Sequence, residues 1–122
     1  MTPEEFLAPT TIGLATLARV RAVLAPYGDV EERTTRSQVA FRRRRGFAFL
    51  WRPGLYLRRP TAEVVLSIAL DHELDSPRLK EVAHPSPRVW QHHLELHTPD
   101  DLDDEVAAWL VEACEAAGPS PA

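Results

Sequence analysis

Hydrophobic residues recur at helical spacing near both ends of the chain. The first stripe predicts a helix over Thr11–Ala25, with Thr10 or Thr11 available to cap its first turn. Its members are Leu14, Leu17, Val20 and Leu24. The second stripe predicts a helix over Pro99–Ala117, because Thr98 suits an N-cap and proline is favoured at the first helical position. Its members are Leu102, Val106, Trp109, Leu110, Ala113 and Ala117.

The segments between the two helices carry the patterns of β-strands. They are Val30–Thr35, Gln38–Arg44, Phe47–Trp51, Glu63–Leu70, Lys80–Ala83 and Val89–His97. Glu63–Leu70 is an almost unbroken apolar run, typical of a central strand covered on both faces. Alternation in the third segment places Phe47, Phe49 and Trp51 on one face. The order predicts a two-layer α+β fold, with a mainly antiparallel sheet of about six strands and an N-terminal and a C-terminal helix on one face.

The length of 122 residues fits a single domain that takes in the whole chain. We expect residues 1–9 to dock through Phe6 and Leu7, and residues 118–122 to form a flexible tail. Cys114 is the only cysteine, which fits a reducing compartment, and no secretion signal is visible. No apolar stretch is long enough to span a bilayer. These observations predict a cytoplasmic protein without membrane association, and they leave its oligomeric state open.

Charge is distributed unevenly along the chain, although the net charge is only −4. Nine of the fourteen basic residues lie between Arg33 and Arg59, and the segment from Arg33 to Ala62 contains no acidic residue. From Val89 onward the chain has eight acidic residues and no Lys or Arg. The overall acidic charge weakens a nucleic-acid interpretation, because domains that bind nucleic acid are usually basic.

The basic segment centres on four consecutive arginines, Arg42–Arg45, with aromatic residues on both sides. Guanidinium groups pair bidentately with phosphate or carboxylate, so one interpretation is a site for a small anion. Arginines beside exposed aromatic rings also suit single-stranded nucleic acid. The structural alternative is a solvated face balanced by the acidic C-terminal helix or by other carboxylates of the chain. Alternation places Arg43 on the inward face with Phe41, where it should either orient a ligand or pair with one of the chain's own carboxylates.

Histidines cluster in the last predicted strand. His93, Glu95 and His97 share one face at a spacing compatible with a metal site, but a metal needs a further ligand from elsewhere, so we expect none. His92 faces the other way with Leu94, which indicates a hydrogen-bonded core histidine. The chain has no nucleophile elbow, dinucleotide fingerprint or phosphate-binding loop. The sequence therefore predicts no cofactor and favours a binding domain over an enzyme.

Three separated blocks of the chain match a known family in the same order. They are Arg33–Ala48, His92–Leu96, and Asp101–Val106 followed by Trp109-Leu110. In these blocks the chain resembles the bacterial family called domain of unknown function 5655, and the likeness extends from about Pro3 to Ala117. The resemblance implies a small stand-alone bacterial domain that is sometimes fused to other modules. It implies no activity and no catalytic residues.

The leading hypothesis is a small cytosolic domain that binds an anionic or aromatic small molecule through the Arg- and aromatic-rich strand segment. The candidate ligand-binding residues are Arg36, Arg43, Trp51, Tyr56 and His92. A nucleic-acid-associated accessory domain is the alternative, and an enzyme that uses the histidines, with or without a metal, is the third hypothesis. A nucleic-acid binder should lose affinity steeply with salt. A small-ligand domain should instead have a concave, largely apolar pocket with a few converging polar groups.

Overall fold

Six strands and three α-helices make up residues 1–121, the part of the chain that this computed structural model describes. The helices are α1 (Pro3–Leu7), α2 (Gly13–Leu24) and α3 (Asp104–Ala116). The strands are β1 (Glu31–Thr34), β2 (Val39–Arg42), β3 (Gly46–Trp51), β4 (Val64–Leu70), β5 (Glu81–Ser86) and β6 (Val89–Leu96). Short 3₁₀ turns lie at Pro53–Leu55 and Pro99–Asp101. Ala122, the last residue of the predicted tail, lies outside the described residues.

The strands form one antiparallel sheet in the order β1-β2-β3-β4-β6-β5. The central strand β4 pairs with β3 and β6, so that Leu66 lies between Leu50 and Leu94. Every residue of β4 is buried. The α+β fold with a six-stranded antiparallel sheet is thereby confirmed, and the long apolar run marks the centre of the sheet. Within residues 1–121, no helix is long and apolar enough to cross a membrane.

The helices cover one face of the sheet, called here the helix face, and its alternate residues form the core with them. Leu66 and Ile68 of β4 belong to a single buried cluster with Leu17 of α2 and Leu110 of α3. Residues 1–9 contribute α1, whose Phe6 is buried in the same cluster. Within residues 1–121 no helix lies on the opposite face of the sheet, which is called the open face.

Both long helices begin later than their apolar stripes predict. α2 begins at Gly13, where an added Cβ would lie 2.2 Å from the Thr10 hydroxyl and 2.8 Å from the Leu7 carbonyl oxygen, so only glycine fits. The N-cap residue is Ile12, not Thr10 or Thr11 as predicted, although the Thr10 hydroxyl accepts a hydrogen bond from Gly13 N–H at 2.9 Å. Leu14 was placed in the buried stripe, but it is 48% exposed. The buried stripe runs through Gly13, and Leu14 lies about 100° around the helix from it.

The predicted start of the C-terminal helix at Pro99 is wrong, because two caps compete there. Thr98 caps only the 3₁₀ turn, and the chain leaves helical geometry at Leu102, with φ −84° and ψ 71°. Asp103 then caps α3 by accepting a hydrogen bond from Val106 N–H at 3.1 Å. The break turns Leu102 into the core, where it is buried.

Two strands also depart from their predicted patterns. Phe47 is an extra residue in the β2–β3 ladder, opposite the Phe41–Arg42 pair, and forms a bulge. The expectation that Phe47 shares a face with Phe49 and Trp51 is wrong, because Phe47 is fully buried in the core cluster. At the edge of the sheet, β5 continues past its predicted end to Ser86. An edge strand tolerates the proline within it because no partner needs the missing N–H.

Candidate ligand-binding site

The open face is concave because its central strand carries small side chains between two strands with large ones. Ser67 of β4 lies opposite Phe49 of β3 on one side and His93 of β6 on the other. The next residue along β3 on this face is Trp51, and the next along β6 is Gln91. Alternation within antiparallel strands therefore places two aromatic rings and two polar side chains around a shallow floor.

These residues line a cavity of about 480 Å³, the open-face concavity. Its lining residues are Ser37, Gln38, Phe49, Trp51, Tyr56, Ser67, Gln91 and His93. Tyr56 comes from the loop after β3, with its ring centroid 6.4 Å from that of Trp51 and the planes tilted by 56°. Tyr56 is 62% exposed, so one ring of the wall stands free in solvent. The volume lies within the range of small-molecule sites.

A chain of hydrogen bonds crosses the floor of the concavity from Trp51 through Ser67 to His93. The Trp51 indole N–H, which can only donate, donates to Ser67 Oγ at 2.8 Å. Ser67 Oγ lies 2.6 Å from His93 Nδ1. A serine hydroxyl has one proton and two acceptor lone pairs, so Ser67 can either donate to Nδ1 or accept from an Nδ1–H while it accepts from Trp51. Burial lowers the pKa of His93, which favours the neutral imidazole.

Gln91 leaves a polar atom without a partner beside the same floor. Its side-chain oxygen is buried and accepts no hydrogen bond from any residue within 1–121. A buried acceptor of this kind costs free energy, about 1–3 kcal/mol, unless something donates to it. The atom has almost no exposed surface, so a molecule in the concavity cannot reach it unless the Gln91 side chain moves.

The arginine run serves largely to attach the β2–β3 hairpin to the end of α3. Arg43 Nε donates to Asp29 at 3.0 Å and Arg43 Nη1 donates to the Cys114 carbonyl oxygen at 3.0 Å. The backbone N–H of Arg44 donates to the Gly118 carbonyl oxygen at 3.2 Å, and the Arg45 side chain to that of Ala116 at 3.1 Å. Cations are favoured at this end of a helix because its last carbonyls lack partners. At the opposite end of α3, the N-cap residue Asp103 and the first-turn residue Glu105 pair with Arg78.

Arg43 and its partner Asp29 contact residues that the sequence places in a loop and in the C-terminal tail. Its guanidinium lies 5.2 Å from the ring centroid of Tyr27, and its side chain is 12% exposed. Asp29 also accepts a hydrogen bond from Ser120 N–H at 2.8 Å, within the predicted tail. The hydrogen bonds from Ser120 N–H and Arg43 hold the pKa of Asp29 below its usual value.

The five predicted ligand-binding residues fall in four places. Trp51 and Tyr56 come together in the concavity. Arg36 is exposed in the turn next to Ser37, at the rim. Arg43 is held between the hairpin and α3, and His92 is buried on the helix face. Neither Arg43 nor His92 lines the concavity.

The site predicted from the sequence leaves out six of the eight lining residues, and three of the six, Ser67, Gln91 and His93, come from β4 and β6. In the sequence Ser67 is one position of an apolar strand, Gln91 carries no signal of its own, and the spacing of His93 indicates only a metal ligand. Alternation gives the face of each one, but their meeting depends on which strands pair. A polar residue at the centre of the apolar run, Ser67, was the available signal.

A group with the spacing of metal ligands lies elsewhere, on the surface. Side-chain atoms of Asp71, His72 and Glu112 all lie within 4.8 Å of one another, and all three residues are exposed. The hydrogen bond between His72 and Glu112 raises the pKa of His72. Exposed groups of this kind are common without a metal, and these three do not adjoin the open-face concavity.

One known protein family matches most of the chain. A family model, the domain of unknown function 5655, matches residues 14–117. The chain belongs to this family. No curated protein and no solved structure matches the chain. The residues that match the 5655 family include β1 to β6 and α3, and therefore every residue that lines the concavity.

Proposed function

We propose that this member of the 5655 family is a small cytosolic binding domain, and that its open face holds an aromatic small molecule. The observation that carries the proposal is the open-face concavity, where the rings of Trp51, Tyr56 and Phe49 surround a floor with few but convergent polar groups. Aromatic rings attract one another in tilted and offset arrangements, at about 0.5–1.5 kcal/mol beyond the area they bury. Tyr56 stands free to close against a ring placed on Trp51.

An anionic group on the ligand fits the rim better than the floor. Arg36, Arg58 and Arg59 form no ion pair with any carboxylate of residues 1–121, whereas Arg43 does. Arg36 precedes the lining residue Ser37, and Arg58 follows Tyr56 by two residues. A carboxylate or phosphate that extends from a stacked ring would reach these guanidinium groups, which pair with such anions.

The same unpaired arginines favour a second candidate, a surface for single-stranded nucleic acid. Stacking of bases on exposed aromatic residues beside basic side chains is the usual mode of such surfaces. The net charge of −4 opposes it, since most phosphate contacts would have to come from the rim alone. An oligonucleotide should then bind with an affinity that falls steeply as salt rises, whereas a stacked small molecule should depend little on salt.

The experiment that tests the proposal follows the indole signals of the protein by ¹⁵N NMR. The chain has three tryptophans, and Trp51→Phe identifies the signal of interest. Benzoate should shift the Trp51 signal, and cyclohexanecarboxylate, which has the same charge without the aromatic ring, should shift it much less. Binding of both compounds with equal affinity, or of neither, would refute an aromatic site on this face.

A matched pair of variants in one loop distinguishes binding in the concavity from nonspecific binding to exposed hydrophobic side chains. Tyr56 is 62% exposed and lines the concavity, while its neighbour Leu57 is 58% exposed and does not. Tyr56→Ala should weaken benzoate binding several-fold, because one aromatic contact is lost. Leu57→Ala should leave it unchanged. Equal effects of the two variants would move the site away from the concavity.

A further inference from the structure

The loop between β3 and β4 carries a protruding segment, Leu55–Arg59, called here the loop tip. The residues that flank the tip lie together, since a Cβ added to Gly54 would be 3.7 Å from Pro60 Cγ. The backbone N–H of Leu57 donates to the Pro53 carbonyl oxygen at 2.9 Å, which gives the loop a turn of its own. All five residues of the tip are exposed. The tip is therefore a small projection with a defined backbone.

Three consecutive apolar residues of the tip face solvent. Leu55 is 45% exposed, Tyr56 is 62% exposed and Leu57 is 58% exposed. The other large hydrophobic residues of residues 1–121 with such exposure are Met1, at the N-terminus, and Leu14 of α2. Hydrophobic side chains scattered singly over a surface are normal, whereas a contiguous group indicates an interaction site. The run on the tip therefore indicates an apolar contact outside the chain itself.

Positive charge follows the apolar run directly. Arg58 and Arg59 complete the tip, and neither pairs with a carboxylate of residues 1–121. No acidic residue occurs in segment 33–62. Two carboxylates lie just beyond the loop, but Glu63 already accepts a hydrogen bond from a backbone N–H and Glu95 accepts one from a threonine hydroxyl. The tip thus combines an apolar point with positive charge that no carboxylate contacts.

We propose that the loop tip docks the protein on the surface of an anionic lipid bilayer. Leu55 and Leu57 enter the boundary between headgroups and acyl chains, where apolar side chains leave water. Tyr56 has an apolar ring and a polar hydroxyl, a combination that is favoured at this depth. Arg58 and Arg59 stay among the lipid phosphates, to which their long side chains can reach. The cytoplasmic leaflet carries the negative surface potential that these arginines complement.

The shape of the tip favours a bilayer over a protein partner. A convex projection needs a matching pocket in a protein, whereas lipids rearrange around the side chains that enter them. The inference departs from the expectation of no membrane association, which considered only segments long enough to span a bilayer. A tip that enters only the interface needs no such segment.

Co-sedimentation of the full chain with lipid vesicles measures the docking. One set of vesicles is phosphatidylcholine alone, and the other contains about 30% phosphatidylserine, which supplies the negative surface potential. The wild type should bind the anionic vesicles much more tightly than the neutral ones, and its binding should weaken as NaCl rises. Leu57→Ser should weaken binding to the anionic vesicles about tenfold, because a largely exposed leucine is no longer transferred out of water.

Each tip variant has a matched control elsewhere in the chain. Leu14→Ser removes a leucine of similar exposure from α2 and should leave vesicle binding unchanged. Arg58→Gln should weaken binding about fivefold, the contribution of one basic side chain near an anionic surface. Arg88→Gln removes the same charge from the β5–β6 turn, which lies at the other end of β4 from the tip, and should change binding little. All four positions are exposed, and thermal unfolding checks that the variants fold.

The outcomes decide this inference separately from the proposed function. Leu57 does not line the concavity, so Leu57→Ser should bind benzoate as the wild type does, whatever it does with vesicles. If the wild type does not bind anionic vesicles, or if Leu57→Ser and Leu14→Ser weaken binding equally, the inference is overturned. Vesicle binding that is the same with and without phosphatidylserine would contradict the role of the arginines. Binding of a short oligouridylate that Arg58→Gln weakens, without any vesicle binding, would assign the tip to nucleic acid instead.

Discussion

The pH dependence of stability should report on His92, a buried imidazole whose two nitrogens are both bound by backbone groups. Its Nδ1 donates to the Ile68 carbonyl oxygen at 3.1 Å, and its Nε2 accepts from Leu74 N–H at 2.9 Å. Only a neutral ring can do both. Burial accordingly lowers the pKa of His92. A second proton would set Nε2 against the Leu74 N–H and leave a charge in the core, so protonation and folding compete.

The direction and size of the effect follow from linkage. The unfolded imidazole has its ordinary pKa of 6.5 and binds a proton that the folded one refuses. The stability that depends on neutral His92 is therefore fully present above about pH 6.5, and it is lost as the pH falls towards the folded pKa. Each such imidazole contributes a slope of at most about 1.4 kcal/mol per pH unit. Burial also lowers the pKa of His93, which adds to the slope, whereas the raised pKa of His72 opposes it.

Urea unfolding between about pH 7.5 and pH 5.5 measures this slope in the wild type and two variants. His92→Leu leaves the Leu74 N–H without a partner, so it should cost about 1–3 kcal/mol at the upper pH. Its stability should then fall less steeply with acid, by up to about 1.4 kcal/mol per pH unit. Leu110→Ala, which destabilises the core without removing an imidazole, should keep the wild-type slope. A wild-type slope in His92→Leu would refute the assignment.

Two further predictions concern the helix face and the arginine run. Leu110 is fully buried, so Leu110→Ala should cost about 2–5 kcal/mol in urea unfolding, and a loss below about 0.5 kcal/mol would contradict its place in the core. Arg43→Ala should lower the melting temperature clearly more than Arg44→Ala. Arg43 bonds to Asp29 and to the Cys114 carbonyl, whereas the exposed Arg44 contributes through its backbone N–H. Equal melting temperatures would mean that the Arg43 contacts do not stabilise the fold.

Much of the fold follows from periodicity that is legible in the sequence. The apolar stripes predict both long helices, and the run ending at Leu70 predicts the central strand, because a strand covered on both faces has no polar side to display. The ends of the helices and strands are harder to predict from the sequence. Thr98 and Asp103 both have the chemistry of an N-cap, and the choice between them depends on whether Leu102 can reach the core. The bulge at Phe47 likewise exists only in relation to the strand it pairs with.

The candidate site is likewise only partly predictable from the sequence. Trp51 and Tyr56 could be chosen from the sequence because exposed aromatic residues near arginines indicate binding. The hydrogen-bonded floor could not, since Ser67 meets Trp51 across 16 residues and His93 across 26. Those contacts are set by the register of β3, β4 and β6, which no local pattern states.

Arg43 illustrates most clearly what each level determined. Alternation with Phe41 predicts that Arg43 points inward, and the cost of an isolated buried charge predicts that it has a partner. As that partner the sequence offers the acidic residues of the C-terminal helix, a bound anion, or the other carboxylates at Glu31, Glu32 and Glu63. The tertiary structure supplies Asp29, 14 residues away, and the Cys114 carbonyl at the end of α3, 71 residues away. Local physics specifies which face a side chain takes and what it needs, whereas the group that meets the need is decided by how distant segments pack.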